Sequence, residues 1–249
     1  MWEDILIYVA IGFVAQMVDG AIGMAFGIVS TSVLLSAGVP PVTASACTHA
    51  AETFTTAASG IAHWRVGNID WRLVRRLALP GMIGGALGAY LLSEVPGDVI
   101  RPYISVYLFI LGVLIILRAA RNARSRSNIG HRHLLPLGFF GGFLDAVGGG
   151  GWGPMVATTL IGRGAEARYA IGSVNLVEFF VTAVISATFL VTVGLELWPI
   201  IAGLVVGGVI AAPFAALATR YLPERLLMIV VGLMVSGLSV LYLIRKLAP

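Results

Sequence analysis

Residues 145–154 read Asp-Ala-Val-Gly-Gly-Gly-Gly-Trp-Gly-Pro and lie in the middle of an apolar stretch, 134–162. Each glycine costs a helix about 1 kcal/mol relative to alanine, so we expect four in a row to break it. A second apolar stretch, 4–37, is also too long for one membrane span. Near its middle it carries the sequence Asp-Gly-Ala-Ile-Gly, residues 19–23. The sequence therefore predicts two helices that are broken near their centres, each beside an aspartate.

The composition places these segments in a membrane. The chain has 249 residues, of which 58% are hydrophobic and 11% are charged, whereas a soluble domain carries about 25% charged residues. This excludes a soluble globular enzyme and a disordered protein. Lipid offers no water to backbone groups, so the apolar stretches should all be helices. We predict an all-α polytopic protein of the cell membrane, and the six further stretches lie at 41–63, 72–93, 99–117, 169–193, 198–219 and 225–244.

The charge pattern indicates how the chain is oriented in the bilayer and does not indicate binding to nucleic acid. The formal net charge is +4, and the basic residues lie in short connections between apolar stretches, where positive charge marks the cytoplasmic side. We therefore expect the lipid bilayer as a partner and no nucleic acid. The first four residues lack a positive n-region and the next apolar run lacks a cleavage site, so we expect residues 5–17 to belong to the mature protein.

The two halves of the chain are copies of each other. A shift of 126 residues superposes them without a gap from Gly12 to Asp70, and it aligns Asp19 with Asp145 and Glu52 with Glu178. Shared composition would align some glycines and alanines but not both acidic pairs in one register. We predict a single transmembrane domain, 1–249, made of two repeats, 1–119 and 134–249, joined by a basic loop, 120–133.

The relative direction of the repeats depends on what the broken segments do. If each dips into the membrane and returns, each half crosses three times and the second half is inverted. The cytoplasmic loops then hold 13 of the 16 basic residues when loop 64–76 is cytoplasmic. If the broken segments cross fully, the repeats are parallel and the best orientation collects 11 of the 16. The pattern favours inversion, with parallel repeats as the alternative.

Four acidic residues lie inside the predicted membrane segments. An ionised side chain at the bilayer centre costs at least about 2.5–3.5 kcal/mol, so such residues indicate function by default. Asp19 and Asp145 either cap the half-helices that follow them or act directly, and the two roles are compatible. Glu52 and Glu178 lie within helices that need no cap. They are candidates for proton coupling, with structural hydrogen bonds between helices as the alternative.

The glycine breaks predict an anion site. A helix N-terminus presents unpaired N–H groups and about half a positive charge. Two broken helices meeting across a pseudo-twofold axis would aim two such ends at one point in mid-membrane. The alternative is that the glycines only let helices pack closely. We expect neither a metal nor a cofactor. The candidate substrate-binding residues are Gly149, Gly150, Gly151, Trp152, Ser45, Thr48, His49, Ser173, Asn175 and Gly23.

Two motifs carry a resemblance to a known family. The run Gly148–Pro154 and the duplicated pattern Phe-x-x-x-x-(Val/Leu)-Asp, at Phe13–Asp19 and Phe139–Asp145, resemble the TauE/SafE family of sulfite and organosulfonate exporters. The resemblance implies passage of a small sulfur-containing anion. We therefore expect a proton-coupled secondary transporter that works by alternating access, not an enzyme. A passive anion channel and, in third place, an intramembrane hydrolase are the alternatives, and a homo-oligomer is compatible with the sequence.

Overall fold

The computed structural model describes residues 5–22, 25–120, 133–194, 198–218 and 224–247. The regular elements in these ranges are helices. The first half contains α1 (Ile5–Ile22), α2 (Phe26–Ser36), α3 (Pro41–Arg65), α4 (Trp71–Glu94) and α5 (Gly97–Ala120). The second half contains α6 (Leu134–Gly148), a π-helical turn (Gly153–Ala157) continued by α7 (Thr158–Gly162), α8 (Ala167–Thr192), α9 (Trp198–Ala218) and α10 (Glu224–Leu247).

Both long apolar stretches are broken helices. The first gives α1 and α2, and the second gives α6 and the helical segment that begins at Gly153. The second break has a direct backbone cause, because Gly149, Gly150 and Gly151 have φ values of 69°, 147° and 154°. Residues with a Cβ rarely adopt these conformations. Three glycines in succession thus let the chain leave one helix and start another within four residues.

The helices of one half pack mainly on helices of the other. α1 lies against α9, and α6 lies against α4; α3 pairs with α8, and α5 pairs with α10. Glycines permit the closest of these contacts. A Cβ on Gly12 would stand 2.7 Å from the Cα of Leu204, and one on Gly138 would stand 3.3 Å from the Cα of Leu77. The core therefore forms between the halves rather than inside each of them.

Many large apolar side chains are exposed on the outside, and a set of polar side chains is buried among the apolar ones of the core. Val191 is 85% exposed and Leu6 is 75% exposed. Within the described ranges, three helical segments are long and apolar enough to cross a membrane by length and composition: Trp71–Glu94, Gly97–Ala120 and Arg168–Thr192. Shorter apolar helices accompany them. Helix α3 has the length of a span, but its buried polar side chains lower its hydropathy. An apolar outer surface, buried polar side chains and several apolar helices are together typical of a multi-pass membrane protein.

Candidate functional site

The two helix breaks meet inside the protein. A Cβ on Gly27, at the start of α2, would stand 2.9 Å from the Cα of Gly150, so the two backbones touch only because both residues are glycines. Neighbouring side chains hold the second break in place. The Thr31 hydroxyl donates to the Gly149 carbonyl, and the Tyr107 hydroxyl donates to the Gly150 carbonyl at 3.4 Å. The contact joins α2, α5 and the break of the second half.

An aspartate spans each break by accepting backbone hydrogen bonds from the far side. Asp19 Oδ1 accepts from the N–H groups of Ala25 at 2.7 Å and Phe26 at 3.2 Å. Asp145 Oδ1 accepts from the Trp152 N–H at 2.9 Å. The carboxylates thereby satisfy amides that have no carbonyl partner in the preceding turn. Each half-helix N-terminus is therefore already occupied by a carboxyl group.

A buried ion pair connects α3 to the second break. His49 and Asp145 are 0% and 1% exposed, and His49 Nε2 lies 3.2 Å from Asp145 Oδ2. The other ring nitrogen, Nδ1, lies 2.8 Å from the carbonyl oxygen of Ser45, which only accepts, so Nδ1 carries a proton. A hydrogen bond from Nε2 to Oδ2 then requires a second proton on the imidazole. The pair is thus built to hold a proton.

The two glutamates are buried near this pair. Glu52 is 4% exposed, and both its carboxyl oxygens are 3.3 Å from the position of a Cβ on Gly27. Glu52 Oε2 has no hydrogen-bond partner among the described residues. Glu178, on α8, is 8% exposed and interacts electrostatically with Glu52 and with both aspartates. The four acidic residues that the sequence singles out therefore belong to one electrostatic cluster.

The structure brings several other predicted residues to the same centre. The Ser45 hydroxyl donates to the Ala146 carbonyl at 2.6 Å, which ties α3 to α6. The Thr48 and Thr31 hydroxyl oxygens lie 3.2 Å apart. A Cβ on Gly151 would overlap the hydroxyl of Tyr107. We call the residues that meet here the central cluster. Its members are Gly27, Thr31, Ser45, Thr48, His49, Tyr107 and Gly149–Gly151.

Three predicted residues take other places. Trp152 is 0% exposed, packs on Gly81 and donates from Nε1 to the Val174 carbonyl at 3.2 Å, so it anchors α8. Ser173 accepts from the Asp70 N–H at 2.8 Å, at the start of α4. The amide of Asn175 accepts from Ser59 at 3.1 Å and donates to the Ile171 carbonyl at 3.0 Å. Gly23 lies outside the described residues.

Three members of the central cluster were not predicted: Gly27, Thr31 and Tyr107. Gly27 had a usable signal, because the 126-residue shift places it on Gly153 beside the second break. Thr31 follows one turn later on α2. Tyr107 lies in an otherwise apolar helix, and nothing in the sequence indicates that α5 reaches the break.

An apolar outer surface around buried ionisable groups at two helix breaks is typical of multi-pass membrane transporters. Comparison with known proteins agrees with this class. The chain belongs to the sulfite exporter TauE/SafE family, whose model matches residues 8–242, so the resemblance seen in the motifs is confirmed.

One curated relative extends the comparison over nearly the whole chain. The "Probable membrane transporter protein YtnM" of Bacillus subtilis (strain 168) is 40% identical over 254 residues, which cover 98% of this chain and 83% of the relative. No solved structure matches the chain significantly. The protein is therefore a membrane transporter that acts on a small molecule in a lipid bilayer.

Proposed function

We propose that the protein is a proton-coupled secondary transporter that moves a small sulfur-containing anion, of the sulfite or organosulfonate class, across the cell membrane. The family description names sulfite export. The observation that carries the proposal is the meeting of two aspartate-capped helix breaks beside the buried His49–Asp145 pair. Amide groups that hold a carboxylate are suited to hold another small oxyanion.

The substrate binds by exchange with a carboxylate. In this conformation Asp19 occupies the amides of Ala25 and Phe26, and Asp145 occupies the amide of Trp152. When an aspartate side chain turns away, its amides become available to a sulfite or sulfonate oxygen. No basic side chain is needed there, because the helix end supplies about half a positive charge.

Proton coupling follows from the same exchange. The proton held between His49 and Asp145 offsets the negative charge that competes with the substrate for the Trp152 amide. Proton entry and anion binding therefore favour each other. His49 holds the proton against Asp145, while Glu52 and Glu178 extend the set of proton-carrying groups from α3 to α8.

Alternating access uses the duplicated architecture. The two halves make equivalent contacts with each other. The packing of α1 on α9 corresponds to the packing of α6 on α4. This supports two repeats, 1–119 and 134–249, related by a pseudo-twofold axis, and in the proposed mechanism they are inverted and rock against each other around the breaks. Closure of the breaks on each other, through Gly27 and Gly150, corresponds to an occluded arrangement.

The test is anion flux into proteoliposomes that contain the pure protein. Sulfite, sulfoacetate, sulfate and chloride are compared with and without an imposed pH gradient. We expect saturable sulfite or sulfonate flux that scales with the gradient. Glu52→Gln should remove the dependence on the gradient, whereas Glu94→Gln, at an exposed position at the end of α4, should not.

Proton coupling, the carrier mechanism and the substrate class would each be contradicted by a different result. Saturable flux that ignores the pH gradient would contradict proton coupling. Flux that does not saturate would favour a passive channel. The absence of flux for sulfite and sulfoacetate would contradict the proposed substrate class.

A further inference from the structure

A cavity of about 640 Å³ opens where the end of α2, the start of α5 and the end of α10 come together. Its lining includes Ser36, Asp98, Arg101 and Tyr242. Helix α4 separates this end of the protein from the connection between α3 and α4, so the cavity lies at the membrane face opposite loop 64–76. Ionisable residues and a tyrosine at a mouth of this size are suited to a water-filled entrance.

Two contacts position the Arg101 side chain at this mouth. Its guanidinium donates to the Leu35 carbonyl near the end of α2 and stands over the Tyr242 ring, 4.8 Å from the centroid. Its Nε is buried and has no hydrogen-bond partner among the described residues. A planar guanidinium, which can bind two oxygens of one ligand at once, is the preferred protein partner of an oxyanion. Asp98, on the same lining, moderates the positive charge, which favours binding that is readily reversed.

A polar track leads inward from Arg101. A second cavity of about 10 Å³, about one water molecule in size, shares four lining residues with the first: Leu35, Ser36, Leu238 and Tyr242. Its polar lining adds Ser32, Ser105 and Ser239. The Ser32 hydroxyl is buried and has no partner among the described residues.

The track reaches nearly the depth of the central cluster. Ser32 directly follows Thr31, which bonds to Gly149. Ser105 lies two residues before Tyr107, which bonds to Gly150. The small cavity therefore ends at nearly the depth of the second break, within one helical turn along each axis.

We propose that this serine-lined track is the route of the substrate oxyanion between one membrane face and the central cluster, with Arg101 as its first binding point. The identity of the cargo rests on the proposed function. The preference of the cavity mouth for anions is independent of the proposed function. The cargo and the anion preference are therefore tested in separate experiments.

The mouth is tested by the charge preference of a reactive cysteine. In a Cys47→Ala background, which removes the single native cysteine, Ser36→Cys is labelled with an anionic sulfonatoethyl and a cationic trimethylammonioethyl methanethiosulfonate. Rates are normalised to those of a free thiol. With Arg101 present we expect the anionic reagent to be favoured about tenfold. Arg101→Gln should remove the preference, Arg101→Lys should keep it, and Arg163→Gln, at an exposed loop position, should have no effect.

Protection identifies the ligand. Methanesulfonate, an unreactive sulfonate, should slow labelling when Arg101 is present and not in Arg101→Gln. Equal rates for both reagents with Arg101 present would overturn the proposal. Protection by phosphatidylglycerol in the vesicles, with none by methanesulfonate, would also overturn it, because the arginine would then bind a lipid phosphate.

Flux separates this inference from the proposed function. In sulfite flux, Arg101→Gln should raise the half-saturating concentration at least about tenfold and leave the maximal rate unchanged. A wild-type protein that shows the labelling preference but no sulfite flux supports the anion mouth and contradicts the proposed cargo. Normal wild-type flux with an unchanged half-saturating concentration in Arg101→Gln contradicts the route.

Discussion

Replacing His49 with alanine should destabilise the protein through Asp145 rather than through lost packing alone. The substitution leaves Asp145 Oδ2 without its partner in a site that is 1% exposed. At the 3.2 Å separation of the two atoms, a full charge pair contributes at most about 5 kcal/mol with an effective dielectric constant of about 20. Breaking one partner of a buried pair costs about 3–5 kcal/mol. We expect a loss of that size for His49→Ala.

A double-mutant cycle isolates the pair. Asp145→Asn keeps an oxygen for the Trp152 amide, so it should cost less, about 1–2 kcal/mol. With both substitutions present, no uncompensated charge remains. The double variant should therefore be more stable than the sum of the single losses predicts, by about 2–3 kcal/mol.

The assay is reversible unfolding in mixed micelles, with the free energy of unfolding determined for all four proteins. Asn175→Ala is the matched control, because the 126-residue shift places Asn175 on His49 while its bonds run to Ser59 and a backbone carbonyl. We expect a loss of about 1 kcal/mol there. Single losses that add to within about 0.5 kcal/mol in the double variant would refute the coupling of His49 with Asp145.

Three further substitutions test neighbouring contacts. Gly150→Ala should lower the free energy of unfolding by more than about 2 kcal/mol, since its Cβ meets the Gly27 backbone at a positive φ; Gly162→Ala, with open space around it, is the control in the same unfolding assay. Trp152→Phe should cost about 1–3 kcal/mol, because the Val174 carbonyl loses its buried donor. Glu52→Gln should abolish gradient-driven sulfite flux but preserve sulfite exchange at equal pH, measured with labelled sulfite.

The sequence predicted the breaks and the residues beside them for local reasons. The run of four glycines at 148–151 strongly disfavours a continuous helix. In both breaks an acidic residue lies six or seven positions before the free amides whose hydrogen bonds it accepts. The matching of Asp19 with Asp145 in an ungapped register also pointed to a shared role. Both aspartates accept these backbone bonds. The sequence did not decide whether the glycines bind a ligand or only allow close packing. That depends on which residues lie opposite them in the folded protein.

The tertiary structure decided which predicted residues meet. His49 and Asn175 occupy equivalent positions in the two copies, but the first bonds to Asp145 and the second to Ser59. Trp152 packs on Gly81 and anchors α8, a contact set by the pairing of α6 with α4. Such contacts depend on helix pairings distant in sequence, and hydropathy does not specify them.

By itself the sequence determined the membrane class, the helical elements, the two breaks and the family, because these follow from composition, local glycine content and motif spacing. Only the tertiary structure decided that Gly27 lies against Gly150, that Tyr107 reaches the second break, and that Arg101 stands at the mouth of a serine-lined track. In lipid no hydrophobic force selects between apolar helix faces, so close packing and buried hydrogen bonds choose the partners. Those contacts exist only once all the helices are assembled.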